Sequence, residues 1–133
     1  MNFVPSAIKA EEWGISQRRI TGKIQAFIKS KRLYMGKLVR DRIPEIIKAD
    51  GKNPITRILP KEEYLHELDT KLNEEVAEYQ ADKSIEEMAD VLEVLFAICE
   101  ARGYSIEQLI KVKQDKQDKR GGFKDRIFWE GNE

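Results

Sequence analysis

Residues 73–100 read N-E-E-V-A-E-Y-Q-A-D-K-S-I-E-E-M-A-D-V-L-E-V-L-F-A-I-C-E, two helical patterns with a break between them. Two acidic pairs punctuate the stretch, Glu75 with Glu78 and Glu87 with Asp90. Each pair is spaced i, i+3, which sets both members on one helix face. Only about four residues, 81–84, separate the patterns, so the two helices must fold back on each other. Residues equidistant from such a turn lie at one level, which matches Glu75 with Asp90 and Glu78 with Glu87.

Helical rotation of roughly 100° per residue places these groups relative to the apolar stripe. Leu65, Leu68, Leu72, Val76 and Tyr79 lie just to one side of Glu75, with Lys71 and Glu78 to the other. Glu87 is flanked by Val91, Val94 and Ile98, and Asp90 lies a little nearer solvent. Four carboxylates at the edge of a core repel one another unless neutralised, and a hard divalent cation with oxygen ligands neutralises them. A local reading stays open beside that one. Ser84 and Glu87 form a capping-box pattern, and Asp90 shares a solvated stripe with Glu86, Glu93 and Glu100.

Outward from this hairpin the chain continues to read as helix. Pro60 opens a pattern over residues 61–81, and Asp41 with Pro44 opens a shorter one that ends at Gly51. Gly103 stops the second hairpin helix. Ser105 and Gln108 then cap a helix over residues 106–120, ended by Gly121 and Gly122. Residues 55–59 alternate as I-T-R-I-L and suit a short strand that pairs with residues 126–129. The expected architecture is an all-α antiparallel hairpin or bundle, with that minor two-stranded β element as an addition. Val91, Leu92, Leu95, Phe96, Ile98 and Cys99 make the second hairpin helix apolar around most of its circumference. One hairpin cannot cover so much apolar surface, so a homodimer or homotetramer is expected.

The composition supports a helical domain. Charged residues are 36% and hydrophobic ones 41% of 133, with four prolines, too apolar for a disordered chain. One cysteine and one histidine exclude Cys/His zinc sites and histidine-based triads. Cys99 reads as an ordinary buried thiol. The longest uncharged apolar stretch, residues 94–99, is too short to span a bilayer. Lys9, Glu11 and Glu12 interrupt any secretory pattern, so a cytoplasmic protein without membrane contact is expected. Charge is uneven along the chain. Residues 1–36 carry seven Lys/Arg against two Glu, and the remainder carries 17 basic against 22 acidic groups.

The stretch Glu74-Glu75-Val76-Ala77-Glu78, with Glu87-Met88-Ala89-Asp90 after it, resembles the E-E-x-x-E and E-x-x-D signature of the all-α NTP pyrophosphohydrolases. That superfamily includes MazG, dimeric dUTPases and phosphoribosyl-ATP pyrophosphohydrolase. K-L-V-R-D-R-I-P-E-I-I at residues 37–47 and R-G-G-F-K-D-R-I at 120–127 resemble flanks of its MazG-like branch. The resemblance spans residues 36–129, so a MazG-like domain over residues 35–133 is expected. It implies Mg²⁺ or Mn²⁺ bound by Glu75, Glu78, Glu87 and Asp90, with Glu74 or Glu75 orienting or deprotonating water. It further implies attack at the α-phosphorus of a nucleoside triphosphate or phosphoribosyl nucleotide, releasing pyrophosphate and a monophosphate, as in house-cleaning of nucleotide pools. Lys37, Arg40, Lys71, Arg120 and Arg126 are the candidate phosphate partners, and the family's assemblies set sites at subunit contacts.

Residues 10–20, A-E-E-W-G-I-S-Q-R-R-I, resemble the start of an excisionase-like helix-turn-helix. Two short helices are expected there, over residues 6–13 and 16–28, with Gln17, Arg18 and Arg19 opening the second. The chain then departs from that pattern by running into K-L-V-R-D without a wing. Residues 1–34 therefore read as a truncated DNA-binding module, with weak DNA contact at most. The rival reading is a DNA-binding regulator whose helical body is a dimerisation domain.

Overall fold

The computed structural model describes residues 36–133, which form four helices. They are α1 (Ile43–Ala49), α2 (Lys61–Asp82), α3 (Ile85–Ala101) and α4 (Ile106–Arg120). The helix-turn-helix expected over residues 1–34 lies outside the described residues.

Local chemistry sets each boundary. Pro44 occupies the first turn of α1, where its missing N–H costs nothing. Pro60 precedes α2 in extended conformation, and Glu62 and Glu63 in its first turn offset the helix dipole. Lys83 ends α2 in the left-handed region at φ 57°, with its N–H donated to the Tyr79 carbonyl at 2.7 Å. Its ammonium lies 5.3 Å from the centre of the Tyr79 ring, so the side chain folds back over the helix it ends. Ser84 Oγ accepts the Glu87 N–H at 3.3 Å and starts α3. Only Lys83 and Ser84 separate α2 from α3, so the two helices close as a hairpin.

Ser105 and Gln108 make the full reciprocal capping box at the start of α4. Cys99 is buried, and its thiol donates to the Ser105 carbonyl at 3.3 Å, tying the end of α3 to the cap of α4. Gly121 ends α4 at φ 82°, a conformation that disfavours any side chain.

The buried apolar residues are few: Ile46 on α1, Leu68 on α2, and Val94 and Cys99 on α3. The expected two-stranded element is not formed, since neither residues 55–59 nor 126–129 are strand. Ile55 and Ile58 are instead 90% and 95% exposed. A lone two-stranded ribbon is at best marginal in water, and here neither segment has a buried face to set its register. Arg57 holds the loop to α2 through a two-pronged ion pair with Glu63 (Nη1 to Oε1, 3.2 Å, and Nη2 to Oε2). No helix among the described residues is long and apolar enough to cross a membrane.

Candidate metal centre

Glu75 on α2 and Glu87 on α3 are 4% and 3% exposed, as deeply buried as the apolar core. Such burial of two like charges requires compensation close by. Asp90, one turn beyond Glu87, completes a trio in which one carboxylate oxygen of each residue lies within 4.8 Å of the others. At that separation each ionised pair repels by on the order of 3 kcal/mol at an effective dielectric constant of about 20.

Among the described residues, two cations pair with the trio and a third with its neighbour Glu74. Lys71 Nζ lies 3.4 Å from Glu75 Oε1 and 3.3 Å from Glu74 Oε1. Lys37 Nζ reaches the same Glu74 oxygen at 3.3 Å. Arg40 Nη2 donates to Asp90 Oδ1 at 2.7 Å. These three cations and the carboxylates of Glu74, Glu75, Glu87 and Asp90 form one connected charged set.

The donor set suits a hard divalent cation. All its ligand atoms are carboxylate oxygens, the chemistry that selects Mg²⁺, Mn²⁺ or Ca²⁺ over zinc. Octahedral ligands at about 2.1 Å lie roughly 3 to 4.2 Å apart, so small side-chain rotations would close the trio on an ion. Mg²⁺ commonly takes only a few protein carboxylates and leaves its other positions to water and phosphate oxygens.

A cleft of about 320 Å³ adjoins the cluster, lined by Gly36, Lys37, Leu38, Glu67, Thr70, Lys71 and Glu74. Lys71 and Glu74 belong both to its wall and to the charged set, and so connect the cleft to the buried carboxylates. No family model matches the chain, and no solved structure matches it. It is 57% identical over 47 residues to an uncharacterized protein of Mycolicibacterium smegmatis (strain ATCC 700084 / mc(2)155). That match covers 35% of this chain and 48% of the relative, so the chain spans about half the length of the relative it matches.

The expected ligands divide. Glu75, Glu87 and Asp90 come together, whereas Glu78, half-buried one turn along α2, lies outside the trio. Glu75 thus meets both α3 carboxylates, and Glu78 does not join Glu87 in the cluster. Among the expected phosphate partners, Lys37, Arg40 and Lys71 surround the carboxylates. Arg120 and Arg126 are exposed and make no ion pair among the described residues. Glu67 and Thr70 on the cleft wall went unnoticed in the sequence, although Glu67, Thr70 and Glu74 share one helix face by their i, i+3, i+7 spacing.

Proposed function

We propose that residues 35–133 are a divalent-metal-dependent nucleotide pyrophosphohydrolase of the MazG-like kind, acting on a nucleoside triphosphate or phosphoribosyl nucleotide. One observation carries the reading: the Glu75–Glu87–Asp90 trio, paired with Arg40 and Lys71, with Lys37 on the neighbouring Glu74 and a cleft beside it. A hard divalent cation held by the three carboxylates would offset their mutual repulsion and draw a polyphosphate to the cleft.

Glu75, Glu87 and Asp90 would hold Mg²⁺ or Mn²⁺, with Glu78 near enough in sequence to serve as a further ligand. The bound cation supplies charge stabilisation at the phosphate oxygens. Lys37 and Lys71, which share Glu74, are positioned to exchange that carboxylate for phosphate oxygens entering the cleft. Glu74 is then released to accept a proton from the attacking water, or to orient it toward the α-phosphorus. Cleavage of the α–β bond yields a monophosphate and pyrophosphate.

A pyrophosphate-release screen over nucleoside and phosphoribosyl triphosphates, with Mg²⁺, Mn²⁺ or EDTA, tests the reading. Metal-dependent release from at least one substrate is expected, and its absence from every one rejects the proposal. We also propose a cytoplasmic homo-oligomer. The regulator alternative draws on the basic sequence of residues 1–34, and specific duplex binding without any hydrolysis would favour it.

A further inference from the structure

Every residue from Glu107 to Glu133 is exposed, so α4 beyond its first residue and the tail form an arm held to its own protomer only at its base. The arm is nevertheless rich in large apolar groups. Phe123 is 97% exposed, Ile127 and Phe128 are 85% exposed, and Trp129 is 74% exposed. Single exposed hydrophobics are ordinary, but a run of this size marks a docking element.

The body offers a matching surface. Ile85, Met88, Leu92 and Leu95 follow the 3-4-3 spacing of a coiled-coil seam on α3, and all four are exposed. Val94 and Glu87, on another side of the same helix, are buried. At 1.5 Å per residue, α3 is about 25 Å long and α4 about 22 Å, so one can lie along the other. Charge points the same way. Residues 61–105 carry 13 Asp/Glu against four Lys/Arg, whereas residues 111–126 carry seven Lys/Arg against three Asp.

We propose that two copies of this chain exchange their C-terminal arms, each arm covering the exposed α3 seam of the other. The basic stretch around Arg120, Lys124 and Arg126, just beyond the seam-bound helix, then lies against the partner's acidic hairpin, where the tail can pass round α3 toward the carboxylate cluster on its other side. A second copy is the occupant because the arm and the seam belong to one sequence, are complementary in charge and apolar character, and are both uncovered among the described residues. Exchange of an identical element between protomers is an economical route to a closed dimer. The catalytic part of this inference rests on the pyrophosphohydrolase reading: Arg120 and Arg126 would meet the substrate phosphates in trans.

Two measurements separate the assembly from the chemistry. Sedimentation velocity of the full chain should give a dimer or larger closed oligomer at micromolar concentration. Phe128→Asp with Trp129→Asp should weaken association at least roughly tenfold, as for buried aromatic anchors, with helix content unchanged by circular dichroism. A monomeric wild type, or a double variant that associates normally, overturns the exchange. In the second measurement, an inactive Glu75→Gln chain is unfolded and refolded together with an Arg120→Ala/Arg126→Ala chain. Pyrophosphate release should return to roughly a quarter of wild type, the share of intact sites in randomly mixed dimers. Activity no greater than the sum of the parents means that the arginines do not act in trans. If the wild type hydrolyses no nucleotide, the function reading fails, and sedimentation alone decides whether the arms exchange.

Discussion

Arg40 donates to Asp90 across fifty residues of chain, at 2.7 Å, and so ties the segment before α1 to the carboxylate-bearing face of α3. Arg40 grips Asp90 through Oδ1 and so can orient the carboxylate. Partners that orient ligating carboxylates typically contribute about 10- to 100-fold to metal affinity or activity. Arg40→Ala should therefore weaken Mn²⁺ binding by that factor in calorimetry, with the helix content retained. Tighter binding would mean that Arg40 merely plugs an acidic cluster.

Glu75→Gln and Asp90→Asn should each remove most hydrolysis while leaving the fold intact. Wild-type turnover by both in saturating Mg²⁺ would rule out the site. Thermal melts give an independent reading. Metal at about a hundred times its Kd should stabilise the wild type by about 2.7 kcal/mol, several degrees in Tm, and should leave these variants nearly unmoved. In EDTA the order should reverse, with both variants melting at or above the wild type, because a neutral amide relieves the repulsion within the trio.

Glu63 provides a pH-dependent check away from the site. The hydrogen bond from Arg57, reinforced by its positive charge, holds the Glu63 carboxyl below the usual carboxylate range. A depressed folded-state value means that the pair's stabilisation is present above the unfolded value and lost as pH falls through the folded one. NMR titration should show the Glu63 midpoint rising toward its ordinary value in Arg57→Gln. Arg57 is exposed and Glu63 only partly covered, so solvent screens the pair and global stability should hardly change. A midpoint identical in wild type and variant would show that the pair does not persist in solution.

All three clustered carboxylates and their three cations lie after Met35, so a chain beginning there should keep its metal dependence and most of its kcat/KM. Residual duplex-DNA affinity of the full chain should come from Arg18, Arg19 and Lys23, be weak, and fall steeply with salt because it rests on phosphate contacts. Loss of activity on truncation, with the oligomer intact, would assign residues 1–34 a part in the site. Tight, salt-resistant binding to one DNA sequence would favour the regulator.

Much of the site was legible because its signals are local. The acidic pairs at i, i+3 and the short turn between them required Glu75 and Asp90 to meet, and they do. Level-matching alone did not say that the trio would be Glu75, Glu87 and Asp90, with Glu78 outside it. Lys37 and Arg40 could be named as phosphate partners from their motif, but their grip on Glu74 and Asp90 depends on how residues 36–40 pass over the hairpin.

The helices themselves follow from sequence alone. Pro44, Pro60, Ser84, Ser105, Gly103 and Gly121 start or stop them through bonds made within a few residues. Apolar periodicity likewise determined which faces of α2 and α3 could be buried against each other. Tertiary structure decided the rest. It buried Glu87 in the cluster although the capping interaction with Ser84 had already accounted for it, and it left the apolar groups of the arm uncovered. It also left residues 55–59 and 126–129 unpaired, where alternation alone suggested a ribbon. The physical reason is the range of the forces involved. Caps and helical periodicity act within one or two turns of chain, whereas strand pairing and charge clusters depend on distant groups arriving in register, with an entropy cost that local sequence does not encode.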